Sequence, residues 1–173
     1  MSDIKLIIDG KEYICRPVEK ETDAAESERP RTGYERVNKE QEYYTTYNDF
    51  YDGIYEENAQ EDDENYSVGN YYNDEQLAVD IARAETLMRR MRQWQALNDE
   101  AVDWNDEGER WCITYGYIET KLSICRAAGN LRGMGEVYFS SSQAADKARN
   151  IFRDELMWYF TEYRQRLDEP KVK

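Results

Sequence analysis

Asn65-Tyr66-Ser67-Val68-Gly69-Asn70-Tyr71-Tyr72-Asn73-Asp74-Glu75-Gln76-Leu77-Ala78 reads as a strand, a polar cap and the start of a helix. The aromatic run ends at Tyr72, Asn73 or Asp74 can cap the first orphan N–H groups, and helical spacing of apolar residues begins at Leu77. A shorter copy returns at Val137-Tyr138-Phe139-Ser140-Ser141-Ser142-Gln143-Ala144-Ala145. The chain is therefore expected to hold two strand-then-helix units. The first helix, about residues 74–97, carries the stripe Leu77, Ile81, Ala84, Met88 and Met91, with Trp94 one step off. Arg89, Arg90 and Arg92 fall late in it, as the macrodipole prefers. The second, roughly residues 142–167, carries Ala144, Ala148, Ile151, Phe152, Leu156, Tyr159 and Tyr163, and Asp168-Glu169-Pro170 stops it.

On the N-terminal side, the pattern changes period. Ile4-Lys5-Leu6-Ile7-Ile8, the turn Asp9-Gly10 and Lys11-Glu12-Tyr13-Ile14-Cys15 predict a β-hairpin. Residues 19–33 contain Pro30 and otherwise no apolar residue larger than Ala, and read as a flexible linker. Tyr43-Tyr44-Thr45-Thr46-Tyr47 is a strand, turned at Asn48-Asp49 or at Asp52-Gly53, and residues 56–64 read as a polar loop. Further on, Trp111 to Tyr117 and Lys121 to Cys125 predict a second strand pair, and Gly135 to Phe139 one more strand. The expected fold class is α+β: antiparallel β-hairpins and a meander forming a sheet, with two long amphipathic helices packed on it. The expected domains are residues 1–18 (hairpin), 19–33 (flexible linker) and 34–169 (α+β domain).

Composition bounds the function. The 173 residues carry 37 Asp and Glu against 23 Lys and Arg, a net charge of −14, and 15 tyrosines and 4 tryptophans supply core area. Such a charge disfavours anionic membranes and nonspecific nucleic-acid binding and favours basic partners. No apolar run reaches the length of a membrane span, and Met1-Ser2-Asp3-Ile4 lacks a signal-peptide layout. Cys15, Cys112 and Cys125 make an odd count without CxxC spacing, which suits reduced thiols of a cytoplasmic protein better than a disulfide framework.

Histidine is absent, so His-dependent triads and most zinc sites are excluded, and no phosphate-binding glycine loop is present. Asp103-Trp104-Asn105-Asp106-Glu107-Gly108 imitates the first half of a calcium loop, but position twelve is Thr114, in an expected strand. No enzyme activity, cofactor or metal is expected. The remaining signal is residues 40–64, which hold ten carboxylates and no Lys or Arg, interleaved with Tyr43, Tyr44, Tyr47, Phe50, Tyr51 and Tyr55. Carboxylates at strand spacing can imitate a phosphate backbone, and tyrosines can anchor an interface. The expected partner-binding residues are Glu56, Glu57, Glu61, Asp62, Asp63, Glu64, Tyr51 and Tyr55, with Glu155 and Glu162 on the second helix taking no part. The alternative, direct nucleic-acid binding, would use Arg83, Arg89, Arg90 and Arg92.

Tyr43-Tyr44, Asp52-Gly53, the segment Tyr66 to Tyr72 with Glu75 and Ala78, Trp104-Asn105-Asp106, and Val137 to Ser141 with Gln143 and Ala144 resemble a phage and prophage accessory protein family. Its members pair a Tyr-rich strand with a GNYF-type strand end, a long helix and a second YF-S segment. This chain departs from that pattern with Tyr72 where Phe is usual and with an Arg-rich first helix. The resemblance implies a fold and a phage origin rather than an activity. Small acidic phage proteins are similar in composition to anti-CRISPR and other anti-defence inhibitors. The expected function is thus a non-enzymatic inhibitor of a host nucleic-acid-handling protein, with a Cas9-type effector the leading target. Alternatives are a nucleic-acid-binding accessory protein and a phage structural or assembly component.

Overall fold

The computed structural model describes residues 4–8, 11–15, 32–104, 109–127, 133 and 136–163. Residues 1–31 form one compact unit and residues 32–173 another. In the first, β1 (Ile4–Ile8) and β2 (Lys11–Cys15) pair antiparallel with Ile8 opposite Lys11, the hairpin that the Asp9-Gly10 turn predicts. The expected linker lies outside the described residues except at its C-terminal end.

The second unit is α+β. Strands β3 (Glu42–Tyr47) and β4 (Phe50–Tyr55) form a hairpin across Asn48-Asp49. Asn48 takes the left-handed position, φ 59°, which its short amide side chain tolerates. Gly53 therefore is not the turn residue; it sits in β4, where a Cβ would collide with the Glu42 carboxylate. Helix α1 (Gln60–Ser67) precedes α2 (Glu75–Asn98), and β5 (Trp111–Gly116) pairs with β6 (Lys121–Arg126). Helices α3 (Ser142–Ile151) and α4 (Arg153–Thr161) complete the described chain.

The hairpins β3–β4 and β5–β6 are each a two-stranded sheet, extended by a single antiparallel bridge. Tyr44 exchanges both backbone bonds with Tyr72 (2.7 and 2.9 Å), and Trp111 does the same with Phe139 (3.1 and 2.8 Å). In both places the helix cap comes two residues after the bridge. Asp74 accepts from the Leu77 N–H at 2.8 Å, and Ser141 accepts from the Ala144 N–H at 3.2 Å. The two units expected from sequence are thus the same device in the same register: bridge, cap, helix.

Helix α2 serves both. Its first half buries Leu77, Ala78 and Ile81 with Tyr72; its second half adds Leu87 and Met91 to a core of Val137, Phe139, Ala145, Ala148, Phe152 and Leu156. Twenty-four residues span about 36 Å, long enough for one helix to back two hairpins.

Two elements differ from expectation. The second helix is not continuous: it breaks at Phe152, whose φ of −100° and ψ of 17° leave the α-region. The buried positions Ala144, Ala148, Phe152 and Leu156 advance by four, so in an ideal helix the stripe would rotate by about 40° per step. The irregular residue resets that drift and leaves Ile151 exposed. The first difference along the chain is larger. The expected loop and strand over residues 56–72 contain α1. Asp62 accepts from the Ala59 N–H (2.8 Å) and the Glu57 N–H (3.0 Å), and Glu61 and Asp63 share the first turn, where the macrodipole favours acids. Val68-Gly69-Asn70 is a Schellman C-cap: Asn70 N–H bonds the Asn65 carbonyl, Gly69 N–H bonds that of Tyr66, and Gly69 takes φ 74°.

Candidate protein-binding surface

The acidic segment divides into an inner and an outer set. Glu56, the residue after β4, is fully buried, at 0% exposure, and Asp62 on α1 is 3% exposed. The Arg36 guanidinium forks onto Glu56 from Nε (3.1 Å) and Nη2 (2.8 Å), and its Nη1 reaches Asp63 at 2.5 Å. Tyr71 donates its hydroxyl to Glu56 at 2.7 Å, and the Asn58 N–H adds another bond at 3.0 Å. Asp62 takes the Tyr43 hydroxyl at 2.8 Å. The Tyr43 and Tyr71 rings stack at 3.9 Å, and Tyr66 packs edge-on to Tyr71. The Arg36 guanidinium holds the Glu56 carboxyl below its usual range. Burial pushes Asp62 up, but the Ala59 N–H, the Tyr43 hydroxyl and the Glu57 N–H outweigh it and hold it low. Burial, reinforced by Asp62, pushes the Tyr43 phenol up to about 12, and burial with Glu56 raises Tyr71 as well.

Glu56 and Asp62 are therefore anchors, not contact residues: a carboxylate whose oxygens are filled by Arg36, tyrosine hydroxyls and backbone N–H groups has nothing to offer a partner. This corrects their sequence assignment. Tyr51 is half-buried, meets the Tyr44 ring and donates its hydroxyl to Glu75. The outer set is Glu57, Glu61, Asp63 and Glu64, all exposed, with Tyr55 at 62% exposure and Tyr66 beside them in the chain. On α1, Glu61 and Glu64 are three residues apart and share a face, while Asp62 and Asn65 turn inward to Tyr43.

The arginines are largely spent within the fold. Arg83 lies 3.7 Å above the Trp158 ring; Arg89 donates to the Asn48 carbonyl and to the Thr86 hydroxyl (2.8 Å); Arg90 pairs with Glu155 and lies over Phe152. Glu155 is accordingly no indifferent position. Arg92 is exposed and, among the described residues, has no ion pair. These side chains do not form one free basic stripe.

Elsewhere, the calcium-like loop falls mostly outside the described residues, and among the described residues no cluster of three or more metal-ligating side chains occurs. No helix among the described residues is long and apolar enough to cross a membrane. Sequence reasoning missed Arg36 as the organiser of this surface; its only signal was a base placed just ahead of a run without one. No protein-family model matches the chain, and no curated protein or solved structure matches it.

Proposed function

We propose that this chain is a non-enzymatic, phage-encoded inhibitor that lays its acidic outer set into the basic groove of a host nucleic-acid-handling protein. The observation that supports this reading is the division of the acids. Glu57, Glu61, Asp63 and Glu64 face solvent while Glu56 and Asp62 pin the same segment to Arg36, Tyr71 and Tyr43. A charged surface on a fixed support loses little conformational freedom on binding, and its sign steers association with a cationic groove. Tyr55 and Tyr66 flank it as anchors. A Cas9-type effector offers a positively charged nucleic-acid channel and arginines that read a short DNA flank, so it is the first target to test.

The variant Glu57→Lys, Glu61→Lys and Glu64→Lys spares Asp63, which pairs with Arg36, and both buried carboxylates. It is expected to keep the wild-type circular dichroism spectrum and to lower the association rate with the effector by about tenfold or more at low salt. Inhibition of DNA cleavage should fall with it. Full inhibition by the folded variant overturns the reading. So does tight DNA binding by the free wild-type protein in gel shifts near physiological salt, which would favour a direct nucleic-acid contact.

A further inference from the structure

The register of the second hairpin brings two of the three cysteines together. Cys112 on β5 and Cys125 on β6 are direct cross-strand partners, thirteen residues apart in the chain. The Ala127 N–H donates to the Arg110 carbonyl at 2.8 Å, and Trp111 turns both its backbone groups to Phe139. The next hydrogen-bonded pair across the strands is therefore Cys112 with Cys125. Direct partners project from the same face of a sheet. Trp111, Ile113, Leu122 and Ile124 pack on the core, and the cysteines alternate with them. Both sulfurs thus stand on the opposite, outer face with Thr114 and Ser123. Core packing does not account for them as small buried hydrophobes.

Both sulfurs lean over the seam between the strands. The Cys112 thiol donates to the Cys125 carbonyl at 3.8 Å, and Cys125 Sγ lies 3.3 Å from the Thr114 hydroxyl on the other strand. Cys125 is exposed and Cys112 half-buried, so the pair can be reached from solvent. Cβ atoms of direct partners stand about 4.5–5.5 Å apart. Two metal–sulfur bonds of about 2.3 Å in a line span about 4.6 Å, so one ion between the sulfurs fits that gap. The ligand set decides which ion. Histidine is absent from the chain, and among the described residues no three His, Cys, Asp or Glu side chains converge to hold a metal. Tetrahedral zinc asks for four ligands, and calcium and magnesium ask for oxygen. Thiolates alone suit a soft ion, and Cu(I) is held by two of them. Burial, with the Glu136 carboxylate, pushes the Cys112 thiol up, because both oppose a thiolate's charge; a cation between the sulfurs offsets that.

We propose that Cys112 and Cys125 form a two-coordinate site for Cu(I) on the outer face of the β5–β6 hairpin. Each thiol gives its proton to solvent and forms one Cu–S bond; copper stays Cu(I), and nothing is oxidised or reduced. This site stands on the second unit and is independent of the acidic outer set.

The probe is Cu(I) itself, held under nitrogen as its coloured bicinchoninate complex and titrated with the fully reduced full chain. The chain is expected to withdraw one equivalent of Cu(I), with matching loss of the complex's colour, and to keep its size in gel filtration. Cys112→Ser and Cys125→Ser should each weaken binding by more than the roughly 10–100-fold that follows loss of a residue merely supporting a metal ligand. Cys15→Ser should bind like the wild type. An excess of Zn(II) of about tenfold should leave the Cu(I) in place. Where a serine variant fails to fold, peptide mapping of the wild type decides: bound Cu(I) should protect Cys112 and Cys125 from iodoacetamide and leave Cys15 reactive. The proposal is overturned if the chain leaves Cu(I) on the chelator, if two chains share one ion, or if Zn(II) displaces it. It is equally overturned if a folded Cys112→Ser or Cys125→Ser variant binds like the wild type, if Cys15→Ser abolishes binding, or if Cu(I) leaves the alkylation of Cys112 and Cys125 unchanged.

Discussion

Asp62→Ala separates an anchoring carboxylate from a displayed one. The substitution removes the acceptor of three bonds: the Tyr43 hydroxyl at 2.8 Å, the Ala59 N–H at 2.8 Å and the Glu57 N–H at 3.0 Å. The Tyr43 hydroxyl is in a fully buried residue and loses its acceptor outright, a loss of about 1–3 kcal/mol. The two N–H groups belong to exposed residues at the start of α1, where water can replace the carboxylate, so together they contribute about 1 kcal/mol, the size of an ordinary cap. The sum is about 3 kcal/mol. At roughly 4 °C per kcal/mol for a domain of this size, the melting temperature should fall by about 12 °C. Urea unfolding followed by far-ultraviolet circular dichroism measures the loss, with Glu61→Ala as the control. Glu61 is exposed in the same helical turn, and its removal should cost only a few tenths of a kcal/mol. A loss under about 1 kcal/mol for Asp62→Ala would refute the anchoring role and return Asp62 to the displayed set.

Gly69→Ala should destabilise by about 1–2 kcal/mol in the same assay, because φ is 74° there although no atom obstructs a Cβ; a neutral result would contradict the left-handed cap. Lowering the pH should destabilise the domain. Burial raises Glu35, but the Thr32 N–H and hydroxyl, its own N–H and the Gly33 N–H bring it to about 2, and Glu56 and Asp62 are also held low. Their contribution is complete above the ordinary value near 4.5 and is lost as pH falls toward 2, and Glu35→Gln should flatten the melting-temperature profile over that window. Cys112 and Cys125 are direct partners across β5 and β6, at a register where Cα atoms stand about 5.5 Å apart, within disulfide reach. Diamide should give an intrachain Cys112–Cys125 disulfide on peptide mapping; recovery of both as free thiols would refute the pairing.

The hairpins and α2 were legible because their patterns are local. Alternation in Tyr43 to Tyr47, a turn residue at Asn48, and the spacing of Leu77, Ile81, Ala84 and Met91 each need only a few neighbours. Helix α1 was not legible by the same test, since Gln60 to Ser67 has only Tyr66 as a large apolar residue and no apolar stripe to count. Its ends still carried signals, three acids at the start and Gly69-Asn70 at the finish, but the aromatic run that follows drew the reading toward a strand. The burial of Glu56 had no local signal at all. Glu56 and Glu57 are the same residue type side by side; what separates them is a fork from Arg36, twenty residues earlier, and a hydroxyl from Tyr71, fifteen later.

The placement of the bases decides how the charge is felt outside. Net charge of −14 repels itself in a compact chain, and the fold answers by putting arginines on its own seams. Arg36 joins the end of β4 to α1, Arg90 joins α2 to α4, Arg149 pairs with Asp146 within α3, and Arg83 covers Trp158. A base so placed neutralises an internal partner at short range and contributes little to the field beyond about 8 Å at physiological salt. The outer acids Glu57, Glu61 and Glu64 have no such neighbour among the described residues, so their field is the one a partner meets. The same arrangement works against the nucleic-acid reading. To contact phosphate, Arg90 would have to leave Glu155, and Arg83 would have to leave Trp158, so each new contact would begin by breaking one that the fold already holds.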